Sequence, residues 1–270
     1  MRIGYVQFQP YFGEVKDNLA RALELLEGED ADLWVLPELF STGYMFASRE
    51  EARELAEPVP DGPTTRALLD WAKARGCYVA YGLAELAGKA LYNSAVLVGP
   101  EGFLALYRKA HLFYREKEFF SPGDTGFQVA KVGGVVVGLM VCFDHLFPEA
   151  ARTLALKGAQ IIAHPANLVL PGLAQLTMRA RALENRVFTV TANRTGEERR
   201  GGESLRFTGQ SQIVSPGGEV LASSPPEAEE AVAVEVDPAQ ALDKLVTPCN
   251  HLFADRRVEL YELEGLRRGR

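Results

Sequence analysis

The sequence predicts one α/β domain with sheets inside and helices outside. Three observations carry that reading. Apolar, β-branched runs alternate with segments of helical periodicity along the chain, the grammar of layered α/β folds. Central runs such as VVVGLMV (135–141) lack the polar alternation of a half-solvated strand, as expected where both faces are covered. No interior linker and no 20–50-residue repeat interrupts the pattern, and the acidic SSPPEAEE near residue 225 is the only low-complexity stretch.

The elements follow in order. RIGYVQFQ reads as a strand and VKDNLARALELLEG as an amphipathic helix ending at Gly28. ADLWVLPE is a buried strand, and GPTTRALLDWAKARG a helix with Pro63 near its start and Gly76 as its stop. CYVAYGLAEL and LYNSAVLVG read as paired strands, GPEG as a turn and FLALYRK as the next strand. In the second half VGGVVVGLMVC is a strand and FPEAARTLALKG a helix, with Pro148 suited to a first helical position. AQIIAHPAN is a strand, LAQLTMRARALEN a helix, and VFTVTAN, GQSQIVSP and EAVAVEVD are strands, with a PGGE turn after the second. These elements make one domain over 1–246, and 247–270 reads as a C-terminal extension of it.

Composition narrows the function. The chain has 270 residues, 47% of them hydrophobic and 24% charged, and a formal net charge of -7, which disfavours nucleic acid or an anionic membrane as main partner. No apolar stretch has transmembrane length, and MRIGYVQFQP lacks a signal peptide's features, so a cytoplasmic enzyme is expected. Three scattered cysteines fit a reducing compartment rather than a disulfide framework. The four histidines show no zinc-site spacing, and no metal is expected.

Three strands end at reactive side chains: LWVLPE at Glu38, FLALYRK at Lys109 and GLMVC at Cys142. Loops beyond strand ends hold the active sites of such folds, because several strands can aim side chains at one place. A carboxylate, a cation and a thiol suit nucleophilic acyl chemistry. Glu38 takes the thiol proton, the sulfur attacks a carbonyl or nitrile carbon, and Lys109 with the backbone N–H of Phe143 receives the oxyanion. Each residue alone also has an ordinary use. A buried cysteine packs, a glutamate after Leu-Pro opens a loop, and Lys109 beside Arg108 is a solvated pair.

Taken together, these residues resemble the nitrilase superfamily of carbon–nitrogen hydrolases over nearly the whole chain. WVLPELFSTGY is similar to its glutamate motif, YRKAHLF to its lysine motif and VCFDHLFPEAAR to its cysteine motif. PANLVLPG, MRARALENRVFTVTANRTG and DRRVELY also resemble family segments, closest to members from heat-loving prokaryotes. The resemblance implies a four-layer α-β-β-α sandwich, homodimers or larger oligomers, a small-molecule substrate and no cofactor. It also implies a second glutamate in REKEFFSPGD, where Glu116 is preferred to Glu118, that orients Lys109 and binds the substrate's amide nitrogen. By position Tyr44, Tyr114, Phe143, His145 and Asn167 line the substrate pocket.

Family members hydrolyse nitriles, amides and N-carbamoyl compounds. Phe143 and Asp144 after the cysteine look more like the amidase and carbamoyl-amidase branches, so a small aliphatic amide or N-carbamoyl compound is the expected substrate, with a small (di)nitrile as alternative. Arg179 and Arg181 are the cations on offer for a substrate carboxylate, although their helical setting favours salt bridges. Two rivals stand beside this reading: a metal-dependent hydrolase using Asp144, His145 and His164, and a non-enzymatic redox or partner-binding protein.

Overall fold

Two six-stranded sheets face each other in the computed structural model, which describes residues 1–262. The first half of the chain supplies β1 (Arg2–Gln7), α1 (Val15–Leu26), β2 (Leu33–Val35), α2 (Arg49–Leu55), α3 (Pro63–Arg75), β3 (Tyr78–Ala87), β4 (Ala90–Gly99), β5 (Gly102–Arg108) and α4 (Glu116–Phe119). The second half supplies β6 (Val129–Val132), β7 (Val135–Leu139), α5 (Pro148–Leu156), β8 (Ile161–Ala166), α6 (Leu173–Asn185), β9 (Phe188–Asn193), β10 (Glu197–Arg200), β11 (Glu203–Arg206), β12 (Gln212–Val214), β13 (Val220–Ser223) and β14 (Glu230–Glu235). One sheet runs β14-β1-β2-β3-β4-β5 and the other β13-β12-β9-β8-β7-β6. In each, three parallel strands (β1, β2, β3 and β7, β8, β9) are flanked by antiparallel ones.

Strand periodicity builds the layers. Ile3, Tyr5, Leu33 and Val35 point inward and meet Val137, Leu139, Ile161 and Ala163 of the facing sheet in one core. The alternate residues Val6, Trp34 and Val79 point outward, where Ala22 and Leu26 of α1 and Leu68 and Ala72 of α3 cover them. On the far side, Leu154 of α5 and Met178 of α6 cover Met140 and Ile162. The fold is therefore a helix–sheet–sheet–helix sandwich, the four layers expected.

Several boundaries differ from the sequence reading. VGGVVVGLMVC is not one strand: Gly133 and Gly134, both at positive φ, turn the chain between β6 and β7. The second strand then stops at Leu139, and Cys142 opens a 3-10 turn over Cys142–Leu146. The short helices α2 and α4, the β10–β11 hairpin and β13 were not foreseen. Of the extension, residues up to 262 are described, and its last eight residues lie outside the described residues. Phe253 packs against the outer helical layer, under the guanidinium of Arg152.

Candidate active site

The carboxyl ends of β2, β5, β7 and β8 converge on one buried cluster. Glu38 follows β2 and passes so close to β3 that a Cβ on Gly82 would lie 2.5 Å from its Cα. Lys109 directly follows β5, and its N–H donates to the Asn93 carbonyl of β4 at 2.8 Å. Both Glu38 and Lys109 are sealed from solvent. The Lys109 Nζ donates to Glu38 Oε1 at 2.7 Å and to Glu116 Oε1 at 2.8 Å. Glu116 also accepts from the Tyr44 hydroxyl at 2.8 Å and from the Phe113 N–H at 3.2 Å. Glu118 is exposed and pairs with Arg115, so Glu116 is the glutamate that reaches the lysine.

The other oxygen of Glu38, Oε2, is buried and has no partner among the described residues. Oε1 takes both Lys109 and the Asn93 amide, the latter at 2.6 Å. Glu38 is thus anchored through one oxygen and presents the other as a free acceptor.

Cys142 is buried, with φ at +43°, a left-handed conformation that a residue carrying Cβ adopts at a cost. Its Sγ lies 3.7 Å from the Asn167 carbonyl. Burial pushes the thiol pKa well above its ordinary value, and the Glu38 charge adds to that, against the pull of Lys109. Burial also opposes the Lys109 ammonium, but Glu116 and Glu38 outweigh it and hold the lysine pKa above its usual value. Burial likewise raises the Glu116 carboxyl, which Lys109 partly offsets. The cluster is accordingly an ammonium between two carboxylates, beside a thiol that keeps its proton at neutral pH.

Cys142 opens onto a small, largely apolar cavity of about 20 Å³, lined by Phe113, Phe143, His145, Asn167, Leu170 and Leu173 among others. His145 donates or accepts at Thr177 Oγ1 (2.6 Å), and burial lowers its pKa to about 3, so the ring is neutral. Asn167 donates from Nδ2 to the Glu38 carbonyl at 2.9 Å, while its Oδ1 is buried without a partner among the described residues. Of the five residues expected in the pocket, Phe143, His145 and Asn167 line this cavity. Tyr44 instead lies behind Lys109, on Glu116. Tyr114 is 58% exposed and lines, with Tyr44 and Glu116, a neighbouring cavity that does not include Cys142.

Other candidates are committed elsewhere. Asp144 accepts from the Val141 N–H at 2.9 Å and the Tyr107 hydroxyl at 2.8 Å, and bonds His111 Nδ1 at 2.7 Å. It ties the lysine-bearing segment to the cysteine turn and does not line the Cys142 cavity. Among the described residues, no three His, Cys, Asp or Glu groups come together to hold a metal ion. Arg181 donates to the His145 carbonyl and Glu184, and Arg179 to the Gly218 carbonyl.

Asn93, Arg194 and Glu198 escaped the sequence reading as site residues, and His164 entered it only as a candidate of the rival metal-dependent hydrolase. Asn93 holds Glu38. His164 bonds the Cys142 carbonyl through Nε2 at 2.9 Å. Buried Arg194 and Glu198 pair, and Glu198 accepts from the N–H of Met45 at 2.7 Å and of Tyr44 at 3.1 Å. The register of β4 on β5, which sets Ser94 against Arg108, places Asn93 beside Lys109.

Comparison with known proteins adds to this geometry. A family model described as carbon-nitrogen hydrolase matches residues 2–242. A Pyrococcus abyssi protein described as a nitrilase is 51% identical over 264 residues, covering 97% of this chain and 99% of its own. An N-carbamoylputrescine amidase from Solanum lycopersicum is 33% identical over 275 residues, covering 93% and 90%. Among solved structures, an amidase mutant from Nesterenkonia sp. AN1, with the acetamide moiety of fluoroacetamide added at its active-site cysteine, superposes with a TM-score of 0.76. It is 28% identical and covers 96% of this chain and 95% of that one.

Proposed function

This chain belongs to the carbon–nitrogen hydrolase family, and from that premise we propose that it releases ammonia through a thioester on Cys142. The substrate is a small aliphatic amide, which leaves a carboxylic acid, or an N-carbamoyl compound, which leaves a carbamic acid that falls to carbon dioxide and an amine. The observation that carries this is the free Glu38 Oε2, held beside a buried ammonium and a protonated thiol.

The cycle follows from those charges. Glu38 Oε2 takes the Cys142 proton as sulfur bonds the substrate carbon. The oxyanion so formed is met by the Lys109 ammonium and the Phe143 N–H, and Lys109 is kept charged by its two carboxylates. The C–N bond breaks, with the Glu38 proton passing to nitrogen and ammonia leaving. Water then gives a proton to Glu38 and its oxygen to the acyl carbon, and the thioester opens to acid and thiol, which regains its proton. Glu116 orients Lys109 and Tyr44 holds Glu116.

The cavity's apolar walls suit a short aliphatic acyl group. A substrate carboxylate has no support, because Arg179 and Arg181 serve backbone carbonyls and Glu184 instead. The nitrilase description of the Pyrococcus relative favours a second reading, in which Cys142 adds to a small nitrile to give a thioimidate, one water replaces its nitrogen as ammonia, and the resulting thioester is hydrolysed as above. Pairing of two copies belongs to the proposal, through Leu176 and Leu183 exposed on α6, as does a cytoplasmic location, in keeping with three free cysteines.

Ammonia release across small aliphatic amides, N-carbamoyl amines and dinitriles is the test, run beside Cys142→Ala. Release from amides or carbamoyl compounds is expected, with none from the variant. Release from nitriles alone moves the assignment to the second reading, and an active Cys142→Ala overturns both.

A further inference from the structure

We propose that His164 is a positioning residue for the oxyanion site, acting through the peptide plane between Cys142 and Phe143. This rests on the reading above, in which the Phe143 N–H receives the oxyanion. In a trans peptide the C=O and the following N–H point in opposite directions, so whatever holds the carbonyl aims the N–H. The Cys142 carbonyl is held by His164 Nε2 at 2.9 Å. No acceptor among the described residues takes the Phe143 N–H, and Phe143 lines the cavity beside Cys142.

The holder is itself fixed. His164 is fully buried on β8, directly opposite Thr191 of β9, whose hydroxyl lies 3.0 Å from Nδ1. A carbonyl only accepts, so Nε2 must carry the proton. Nδ1 then accepts from the Thr191 hydroxyl, and the threonine selects the tautomer that can donate. Burial keeps the ring neutral by lowering its pKa. The support is needed because Cys142 sits at positive φ in a short 3-10 turn, where nothing in the local backbone preference keeps this peptide in place.

Two reactions of Cys142 separate this role from general support of the nucleophile. Amide hydrolysis builds an oxyanion. Attack on methyl methanethiosulfonate does not: sulfur takes the methylthio group and methanesulfinate leaves. In His164→Leu, kcat should fall about 100-fold, the scale of one lost oxyanion donor, with KM changed less than about threefold. The methanethiosulfonate rate at Cys142, followed by peptide mass to exclude Cys77 and Cys249, should stay within about threefold of wild type. His164→Gln, which keeps a donor at the same reach, should recover most of kcat.

A methanethiosulfonate rate that falls in parallel with kcat overturns the proposal, as does an unchanged kcat. If His164→Leu does not fold, Thr191→Val keeps the ring and loosens the tautomer, and the same split at smaller size is expected. Unchanged turnover in Thr191→Val also counts against it. Cys142→Ala with wild-type turnover would instead defeat the cysteine reading itself.

Discussion

In the cycle proposed above, the thiol of Cys142 and the free oxygen of Glu38 carry the chemistry at the scale of single residues. A nucleophile whose pKa is raised by burial has less thiolate at any given pH than an ordinary cysteine. Its reactivity toward a thiol reagent should therefore keep climbing, about tenfold per pH unit, through the ordinary cysteine pKa of about 8.5. A plateau below pH 8 would mean a stored thiolate and would remove the need for a base. In the proposed cycle, turnover at neutral pH depends on Glu38 as the base, and Glu38→Gln should lower kcat by about 10²–10⁴. That Glu38, Lys109 and Cys142 share one cluster was legible because each follows an apolar strand in the sequence, whereas Glu116 came only from the family resemblance. Asn93 was not legible, and His164 entered only as a metal-site candidate, because their places beside Glu38 and Cys142 arise only when β4 meets β5 and β8 meets β7 and β9.

Elements supply what these residues cannot hold alone. The alternation of apolar runs and amphipathic helices was readable along the chain, since both periods are local. The β10–β11 hairpin was not: its sequence, EERRGGESLR, is charged and lacks strand alternation, and it folds as an outlier over the loop after β2. Its anchor is the buried Arg194–Glu198 pair, with Arg194 also donating to the Pro10 carbonyl at 2.8 Å and stacking on Phe207. Glu198 grips the N–H groups of Tyr44 and Met45, and so fixes the tyrosine that holds Glu116. Removing one member leaves the other charge buried without its counter-charge. Glu198→Ala should cost about 3–5 kcal/mol in urea unfolding, whereas the double change Arg194→Met with Glu198→Met should cost less than Glu198→Ala alone. Additive losses would show that the two charges stand independently.

At the scale of the molecule, the described residues present an exposed apolar face that the sheets do not need. Leu176 and Leu183 are seven residues apart on α6, on one side of the helix, and are 67% and 55% exposed. Leu242 and Val246 are also exposed, in a segment tied to the end of α6 by Lys244, which donates to the Asn185 and Arg186 carbonyls at 2.9 and 2.8 Å. A patch of this kind on an outer helix is stable in water when a second copy covers it. The opposite face of the same helix serves the active site, because Thr177 bonds the His145 ring and Arg181 its carbonyl. The pairing proposed through α6 would therefore brace the wall of the Cys142 cavity. Replacing Leu176 and Leu183 together by glutamate should halve the mass seen in sedimentation velocity and lower kcat, while circular dichroism stays native. A double variant that sediments as the wild type does would place the contact elsewhere, and one that dissociates with kcat intact would show that α6 holds His145 without help from a partner.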